Sequence, residues 1–281
     1  MSVQIIVDST ADLAPGLEQR VQIVPLTIHF GEKEYVSGVD ITTTQFYELL
    51  VKSEELPKTS QPTPAAFEDA FRKAVDAGDE VVCITISSKL SGTYQSASIA
   101  ASEFPGKVFV VDSRTVAIAA GLLTDYALNL ADQGLTAEQI AAAVMEKREN
   151  VRLFALVDTL EYLNKGGRVS STVAFAGGLL NIKPMIEVAE GEVRMAGKAR
   201  GVKQGNALLM QAVEKSGGAD FTMPAMLGYT GLDDSGLQKF LEENSAYWTG
   251  DGKQVSTQVV GSVVGTHAGP GAVALAYFAA E

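Results

Sequence analysis

The sequence predicts an α/β protein of two domains, an N-terminal parallel-sheet βαβ domain and a C-terminal α+β domain. The first half of the chain repeats one unit, in which a run of apolar, β-branched residues precedes a helix-like stretch. The three runs are "VQIIVDS" (3–9), "EVVCITISS" (80–88) and "KVFVVDS" (107–113). Apolar runs that alternate with helices are typical of βαβ units, whose parallel strands are buried on both faces.

The second half of the chain does not repeat a unit, which favours an α+β arrangement. "VRLFALV" (151–157) predicts a strand, "TLEYLNKGG" (159–167) a helix, and residues 183–200 a β-hairpin with "EG" near its turn. Residues 254–280 carry no Asp, Glu, Lys or Arg. Their glycines and proline would leave backbone groups unpaired in lipid, so we expect a strand, a loop and a short helix there. We place the boundary near residue 155, which gives domains 1–155 and 156–281.

The segment "KTSQPTP" (58–64) concentrates hydroxyl groups between prolines. Thr59, Ser60 and Thr63 lie within these seven residues. A helix is predicted to begin at Pro64, with Thr63 as its N-cap. No histidine or cysteine lies near the segment in the sequence, so we expect these hydroxyls to donate hydrogen bonds rather than to act as nucleophiles.

Two further junctions between a strand and a helix carry hydroxyl groups. Ser91 lies in a loop before a helix predicted to begin near Thr93, and Thr266 and His267 lie in the last junction. Helix starts expose free N–H groups and a partial positive charge, which together bind anions. The loops that follow parallel strands meet at one crevice of the sheet. The sequence therefore predicts a site for one carboxylate or phosphate.

Composition excludes several functional classes. The net charge of -12 opposes binding to the phosphates of nucleic acid. Cys83 is the single cysteine and is expected to be buried and inert. The N-terminal segment "MSVQIIVDST" has no basic stretch before its short apolar run, so we expect a cytoplasmic protein. His29, in "LTIHFG", is expected to be structural or exposed.

Familiar catalytic and metal-binding patterns are absent from the sequence. There is no G-x-S-x-G turn and no G-x-x-x-x-G-K-[ST] loop, and two histidines with one cysteine do not predict a metal site. We assign no catalytic residue and no metal ligand. Asp8 and Asp112 each follow a predicted strand, where they either cap local turns or serve a stand-alone magnesium-dependent phosphotransferase or phosphatase. Both readings stay open.

Two stretches rich in small apolar residues, "VAIAAGLL" (116–123) and "VAFAGGLLNIKPMI" (173–186), predict either close packing or a narrow apolar tunnel. Seven motifs then occur in order along the whole chain: "DSTADL" (8–13), "TSQPTP" (59–64), "ISSKLSGTYQSA" (86–97), "KGGRVS" (165–170), "GGLLNIKPMI" (177–186), "GKAR" (197–200) and "GTHAGPGA" (265–272). With these motifs the chain resembles the DegV family of fatty-acid-binding proteins, the B-type subunits of bacterial fatty acid kinase.

The resemblance implies one long-chain fatty acid held between the two domains. By motif, Ser60 and Ser91 correspond to serines that bind the carboxylate, Thr59 lies beside them, and His267 corresponds to a histidine near the head group. Arg200 corresponds to a residue used with the kinase partner. That partner, the ATP-binding subunit of a fatty acid kinase, supplies ATP and magnesium, so no cofactor is expected on this chain. Transient contact with a membrane surface is compatible with this role, and a binding module for another lipid or amphipathic acid is the remaining alternative.

Overall fold

The structure is a computed structural model, and it describes residues 2–169, 181–250 and 252–280. In chain order, its strands are β1 (Val3–Asp8), β2 (Val21–Val24), β3 (Thr27–Phe30), β4 (Lys33–Val36), β5 (Lys58–Ser60), β6 (Glu80–Thr85), β7 (Val108–Asp112), β8 (Val151–Leu156), β9 (Ile182–Ala189), β10 (Glu192–Arg200), β11 (Ala225–Tyr229), β12 (Val255–Val259) and β13 (Val273–Phe278). Its α-helices are α1 (Thr43–Lys52), α2 (Pro64–Asp76), α3 (Thr93–Ala101), α4 (Ala117–Asp132), α5 (Ala137–Lys147), α6 (Glu161–Lys165), α7 (Gly201–Lys215), α8 (Ser235–Glu243), α9 (Ser245–Trp248) and α10 (Ser262–Ala268).

The first sheet is parallel, in the order β2-β1-β6-β7. It contains the three apolar runs as β1, β6 and β7, so the predicted βαβ domain is confirmed. The helix-like stretch expected after β1 was wrong, because only a three-residue 3-10 turn, Glu18–Arg20, separates β1 from β2. Pro15 and Gly16, which has φ 91°, interrupt any longer helix at this point.

A small antiparallel sheet, in the order β4-β3-β5, adjoins the parallel sheet. Sequence reasoning placed Lys58–Ser60 in a loop, but these residues form β5. The register pairs Thr59 with Ile28 and Ser60 with Thr27. Because neighbouring residues of a strand point to opposite faces, Thr59 faces the interior with Ile28 while Ser60 lies on the outer face.

The second large sheet has six strands, in the order β10-β9-β8-β13-β11-β12. The predicted hairpin is confirmed as β9 and β10. The strand β8 pairs with β13 on one side and with β9 on the other. Residues 155 and 156, which mark the expected domain limits, both lie within β8 and pair with β9 and β13, and the limits stay a prediction.

The order of elements after β12 differs from the expected one. The helix α10 comes directly after β12, and the last segment is the strand β13 rather than a helix. All six side chains of β13 are buried, since the strand lies between β8 and β11. A short continuous apolar run fits a central strand as well as a buried helix, and only the surrounding sheet decides. Among the described residues, no helix has both the length and the apolar character needed to cross a bilayer.

The helix α4 packs between the two large sheets, against β1 on one side and β8, β11 and β13 on the other. It is apolar nearly all round, as a helix covered on every face must be. The largest core cluster includes Val7 and Ile84 of the parallel sheet together with Leu153, Ala155 and Ala276 of the six-stranded sheet. A second core covers the far face of the six-stranded sheet, under α7 and α8. The interior between the two large sheets is therefore continuous.

Candidate ligand-binding cavity

A cavity of about 360 Å³ lies in this interior, within the usual size range of small-molecule sites. Most of its wall is aliphatic. The apolar lining comes from both large sheets and the segments that join them, and includes Leu26, Ile86, Leu90, Val116, Leu153, Ala155, Val157, Leu163, Ile186, Val188, Val193, Val260, Val263, Ala272 and Ala274. Of the stretches expected to form a tunnel, Val116 and Ala117 line the cavity, whereas residues 173–180 lie outside the described residues.

One set of polar residues, here called the polar end, is connected by hydrogen bonds, and Thr10, Glu187 and Thr230 are further polar residues of the lining. At the polar end, the cavity is lined by Thr59 and Ser60 of β5, by Ser91 before α3, and by His267 in the last turn of α10. All four residues predicted for a head group thus line the cavity, although the Ser60 hydroxyl lies toward His29 on the other face of β5. Their binding of a carboxylate stays a prediction. His267 lies at the end of a helix and not at a helix start as expected, so its contribution comes from the side chain.

The Thr59 hydroxyl oxygen lies 2.9 Å from Nε2 of His267. The other ring nitrogen, Nδ1, is buried without a hydrogen-bond partner among the described residues. Burial, together with the nearby charge of Arg168, lowers the pKa of His267 to about 4, so the imidazole is neutral at physiological pH. Gly166 packs directly on Nδ1, and a Cβ at this position would lie 2.4 Å from that atom.

The Ser60 hydroxyl lies 2.8 Å from Nε2 of His29. His29 stands on β3, and its Nδ1 lies 3.5 Å from a carboxylate oxygen of Glu34 on β4. Although no histidine is near these hydroxyls in the sequence, the fold brings two within hydrogen-bond distance. Strand pairing brings His29 to Ser60 across 31 residues of sequence, and the packing of α10 brings His267 to Thr59 across 208.

The segment between β6 and α3 is held to β5 by a side-chain amide. Gln61 donates to the carbonyl of Gly92 at 3.2 Å and to the hydroxyl of Ser96 at 3.0 Å. A Cβ on Gly92 would lie 2.2 Å from the Gln61 amide oxygen, so this close approach requires glycine. The Ser91 hydroxyl lies 2.8 Å from that of Thr93 and accepts the Thr93 N–H at 3.3 Å, which fixes Ser91 at the start of α3.

Arg168 also lines the polar end and was not predicted as a site residue. Its guanidinium donates to the carbonyls of Leu90, at 3.3 Å, and Gly166, at 2.5 Å. Among the described residues, Arg168 forms no ion pair with a carboxylate. A cation whose protein partners are carbonyls keeps its charge available to an anionic ligand. The motif "KGGRVS" contained this residue, but nothing in the sequence placed it beside His267.

Arg200 is not part of this end of the cavity. It is exposed at the start of α7, and its backbone N–H donates to the Gln204 side chain at 2.7 Å. Its assignment to a protein partner stays a prediction.

The strand-end aspartates also lie outside the lining, and each braces a loop. Asp8 is buried and accepts hydrogen bonds from Thr10 N at 2.9 Å, Thr10 Oγ1 at 2.5 Å and Ile86 N at 2.7 Å. Burial raises the pKa of Asp8, although these hydrogen bonds act in the opposite direction. Asp112 accepts from the N–H of Ser88 at 3.1 Å and the N–H of Arg114 at 2.9 Å. Both carboxylates are occupied within the fold.

Comparison with known proteins agrees with this architecture. The family model described as "Uncharacterised protein, DegV family" matches residues 2–280. The chain belongs to the DegV family. A DegV domain-containing protein of Deinococcus radiodurans is 37% identical over 282 residues, which cover 98% of each chain.

Solved structures of DegV proteins share the fold over essentially the full length. A fatty-acid-binding DegV family protein from Thermus thermophilus has a TM-score of 0.88 at 32% identity, covering 99% of this chain and 100% of that one. A stearic-acid-binding protein from Eubacterium ventriosum has a TM-score of 0.85 at 31% identity, covering 98% and 97%. The Fatty Acid Kinase B3 protein of Streptococcus pneumoniae, loaded with linoleic acid, covers 100% of both chains with a TM-score of 0.86, and at 24% identity this likeness concerns the fold.

Proposed function

We propose that this DegV protein binds one long-chain fatty acid, with the acyl tail in the cavity and the carboxylate at its polar end. The observation that carries the proposal is a mainly aliphatic lining in which Thr59, Ser60, Ser91, Arg168 and His267 supply hydroxyl, guanidinium and imidazole groups. The fatty-acid-binding relatives at 31% and 32% identity support the same class of ligand.

The energetics of burial favour this ligand only when the cavity is preformed. A sixteen-carbon tail has about 14 methylenes, and burial of each contributes about 0.8 kcal/mol, or roughly 11 kcal/mol in total. Association itself costs on the order of 4–15 kcal/mol. Burial of the tail therefore yields net affinity only if the desolvation cost of the carboxylate head group is offset. Hydrogen bonds to a charged group contribute about 1.5–3 kcal/mol each, which offsets the desolvation of the carboxylate.

The protonation state of His267 determines whether the Thr59 hydroxyl can donate a hydrogen bond to the ligand. Arg168 lies close enough to lower the pKa of the ring, and its positive charge disfavours a proton on the buried Nδ1 atom. We therefore assign the proton of the neutral ring to Nε2, so that this nitrogen donates to the Thr59 hydroxyl oxygen. The Thr59 proton is left to donate to a carboxylate oxygen. Arg168 supplies the charge that pairs with the same group.

The finer part of the proposal concerns a partner. We propose that the chain presents the bound acid to an ATP-dependent fatty acid kinase, which converts it to an acyl phosphate, and that the chain alone performs no catalysis. The motif resemblance supports this role, and exposed Arg200 is its candidate contact with the kinase. ATP and magnesium are assigned to the partner, and no cofactor to this chain. The exchange is proposed to occur in the cytoplasm, with transient contact at the membrane surface.

Native mass spectrometry of the purified protein, repeated after denaturing solvent extraction, tests ligand binding. We expect a mass excess of one fatty acid that is released on unfolding. A ligand-free spectrum, with no uptake of added fatty acid, would contradict the proposal and return attention to the phosphoryl-transfer alternative.

A further inference from the structure

A second cleft lies beside the cavity, where the pairing between β8 and β9 ends. The strands β8 and β9 pair at Leu156–Met185, Ala155–Ile186 and Phe154–Glu187, and their pairing stops there. Beyond that point, within the part of the chain that the structure describes, β8 continues to pair only with β13, and β9 only with β10. A cleft of about 290 Å³ lies between the two diverging strand ends.

This cleft and the main cavity share part of their walls. Leu153, Glu187 and Val188 line both. Leu153 and Val188 belong to the core between the two large sheets, where Leu153 is buried and Val188 packs against it. At the other end of the same face, Val157 lines only the main cavity. The cavity therefore runs along β8, with Leu153 and Val188 as the partition at its far end.

The outer rim of the cleft is polar and its charges are balanced. Arg114 and Arg148 both contact the carboxylate of Glu149, at 2.7 and 3.3 Å. Arg152 donates to the backbone carbonyls of Glu149 and Val151, at 2.8 and 3.1 Å. Such a rim is hydrated, so a chain end that reaches it passes from an apolar wall into water.

We propose that the cleft between β8 and β9 is a second mouth of the acyl cavity, which receives the far end of acyl chains that outgrow the closed cavity. Leu153 and Val188 act as the partition that sets the chain length at which this occurs. The occupant is the distal end of the same fatty acid, because these two side chains line both the cavity and the cleft. The inference rests on the proposed fatty-acid binding.

Two substitutions at one position test the partition in opposite directions. Leu153→Ala removes most of the side chain and joins the two spaces, whereas Leu153→Phe enlarges the partition. We expect Leu153→Ala to raise the affinity for a 22-carbon acid relative to a 16-carbon acid by about tenfold, the factor that burial of two further methylenes gives. Leu153→Phe is expected to shift this ratio the opposite way.

Val157→Ala is the matched control, since it truncates a cavity-lining residue that directly follows β8 and does not line the cleft. We expect it to weaken binding of both acids by similar factors and to leave their ratio unchanged. The measurement is the dissociation constant of saturated acids from 14 to 22 carbons for wild type and the three variants, with circular dichroism to confirm folding.

The possible results separate the two proposals. Wild type that binds no fatty acid overturns the proposed function and this inference with it. Wild type that binds, with the same chain-length profile in Leu153→Ala as in Val157→Ala, overturns the second mouth alone. As a second readout, we expect Leu153→Ala to reduce discrimination against an ω-hydroxy 18-carbon acid at least fivefold, because the hydroxyl reaches the hydrated rim. Unchanged discrimination against the ω-hydroxy acid in Leu153→Ala would also contradict the proposed second mouth of the cavity.

Discussion

The Thr59 hydroxyl and the His267 imidazole, 208 residues apart, lie 2.9 Å from each other at the polar end of one apolar cavity. Thr59 belongs to the small sheet and His267 to the helix that connects two strands of the six-stranded sheet. The hydrogen bond therefore joins two parts of the fold at the point where the proposed head group lies. The predictions below depend on this geometry.

Removal of the Thr59 hydroxyl is expected to weaken fatty-acid binding. Thr59→Val keeps the shape of the side chain but loses the donor to the carboxylate, and a hydrogen bond to a charged group contributes about 1.5–3 kcal/mol. We expect a roughly ten- to hundredfold higher dissociation constant by titration calorimetry. Thr59→Ser, which keeps the hydroxyl, is expected to stay within a few-fold of wild type. Equal affinities for Thr59→Val and wild type would remove Thr59 from the head-group site.

Gly166→Ala is expected to displace the His267 ring without touching the ligand directly. The new Cβ would lie 2.4 Å from Nδ1 of His267 and 2.9 Å from the Tyr162 carbonyl oxygen, so the ring must move. We expect affinity for the acid to fall at least tenfold. Gly167→Ala is the control, because Gly167 has φ 69° but no atom within 4 Å of its Cβ position. That variant is expected to lose stability through backbone strain while its affinity changes little; the reverse pattern would be evidence against the proposed placement.

Two buried groups are expected to give opposite dependences of stability on pH. Burial raises the pKa of Asp12 from 3.8 to about 7, so the native state binds more protons than the unfolded state in this interval and stability falls as the pH rises through it. Burial lowers the pKa of His267 from 6.5 to about 4. The unfolded state then binds more protons between these values, and stability rises with pH.

The two contributions oppose each other between about pH 4 and pH 6.5 in wild type. Asp12→Asn is expected to leave the His267 contribution, so stability rises more steeply with pH in this interval than in wild type. His267→Asn is expected to leave the Asp12 contribution and to turn the slope downward. Urea denaturation at several pH values measures both slopes. Parallel curves for all three proteins would show that neither group is perturbed by burial as described.

The strand-end aspartates are expected to matter for folding and not for phosphoryl transfer. Asp8→Asn places an amide where a carboxylate oxygen now accepts from a backbone or hydroxyl donor, and we expect it to destabilise the fold by about 1–3 kcal/mol. Asp112, the last residue of β7, is less buried than Asp8, so Asp112→Asn is expected to cost less. Hydrolysis of p-nitrophenyl phosphate with magnesium is the activity assay. Turnover by wild type that either variant abolishes would favour the stand-alone phosphotransferase or phosphatase.

Arg200→Ala is expected to reduce acyl-phosphate formation by the partner kinase without weakening fatty-acid binding, because Arg200 is exposed and outside the cavity lining. Lys198→Ala removes the same charge from an exposed position two residues earlier on β10 and serves as the control. Coupled kinase assays and ligand titrations separate the two effects. Equal loss of acyl-phosphate formation in both variants would indicate a general effect of charge and would reject a specific role for Arg200.

Local patterns predicted much of the N-terminal half. Apolar runs marked β1, β6 and β7, and Thr63 caps α2 by accepting the Ala66 N–H as expected. These features depend on residues a few positions apart. The end of the chain was less predictable, because the run that forms β13 suits a helix or a strand until its neighbours β8 and β11 are known.

The motifs grouped residues that the fold also brings together, while the role of these residues in binding stays a prediction. Motifs brought Thr59, Ser60, Ser91 and His267 into one proposed site, and all four line one cavity. The register of the small sheet, which places His29 at Ser60, could not be read from sequence because it depends on pairing between strands 31 residues apart. The contribution of Arg168 was missed for a similar reason. Its neighbours Leu90 and His267 come from distant parts of the chain.

The three residues of β5 determine which hydroxyl group faces which histidine. Thr59 and Ser60 are adjacent in sequence, yet the pleat sends one hydroxyl to His267 inside and the other to His29 outside. A slip of one residue against β3 would exchange the two faces, so His267 would meet Lys58 or Ser60 in place of Thr59. The hydroxyl group that a ligand meets thus depends on the register of β5 against β3. A strand this short has few backbone hydrogen bonds to hold that register. Insertions or deletions between β4 and β5 are tolerated only if they leave that alignment intact.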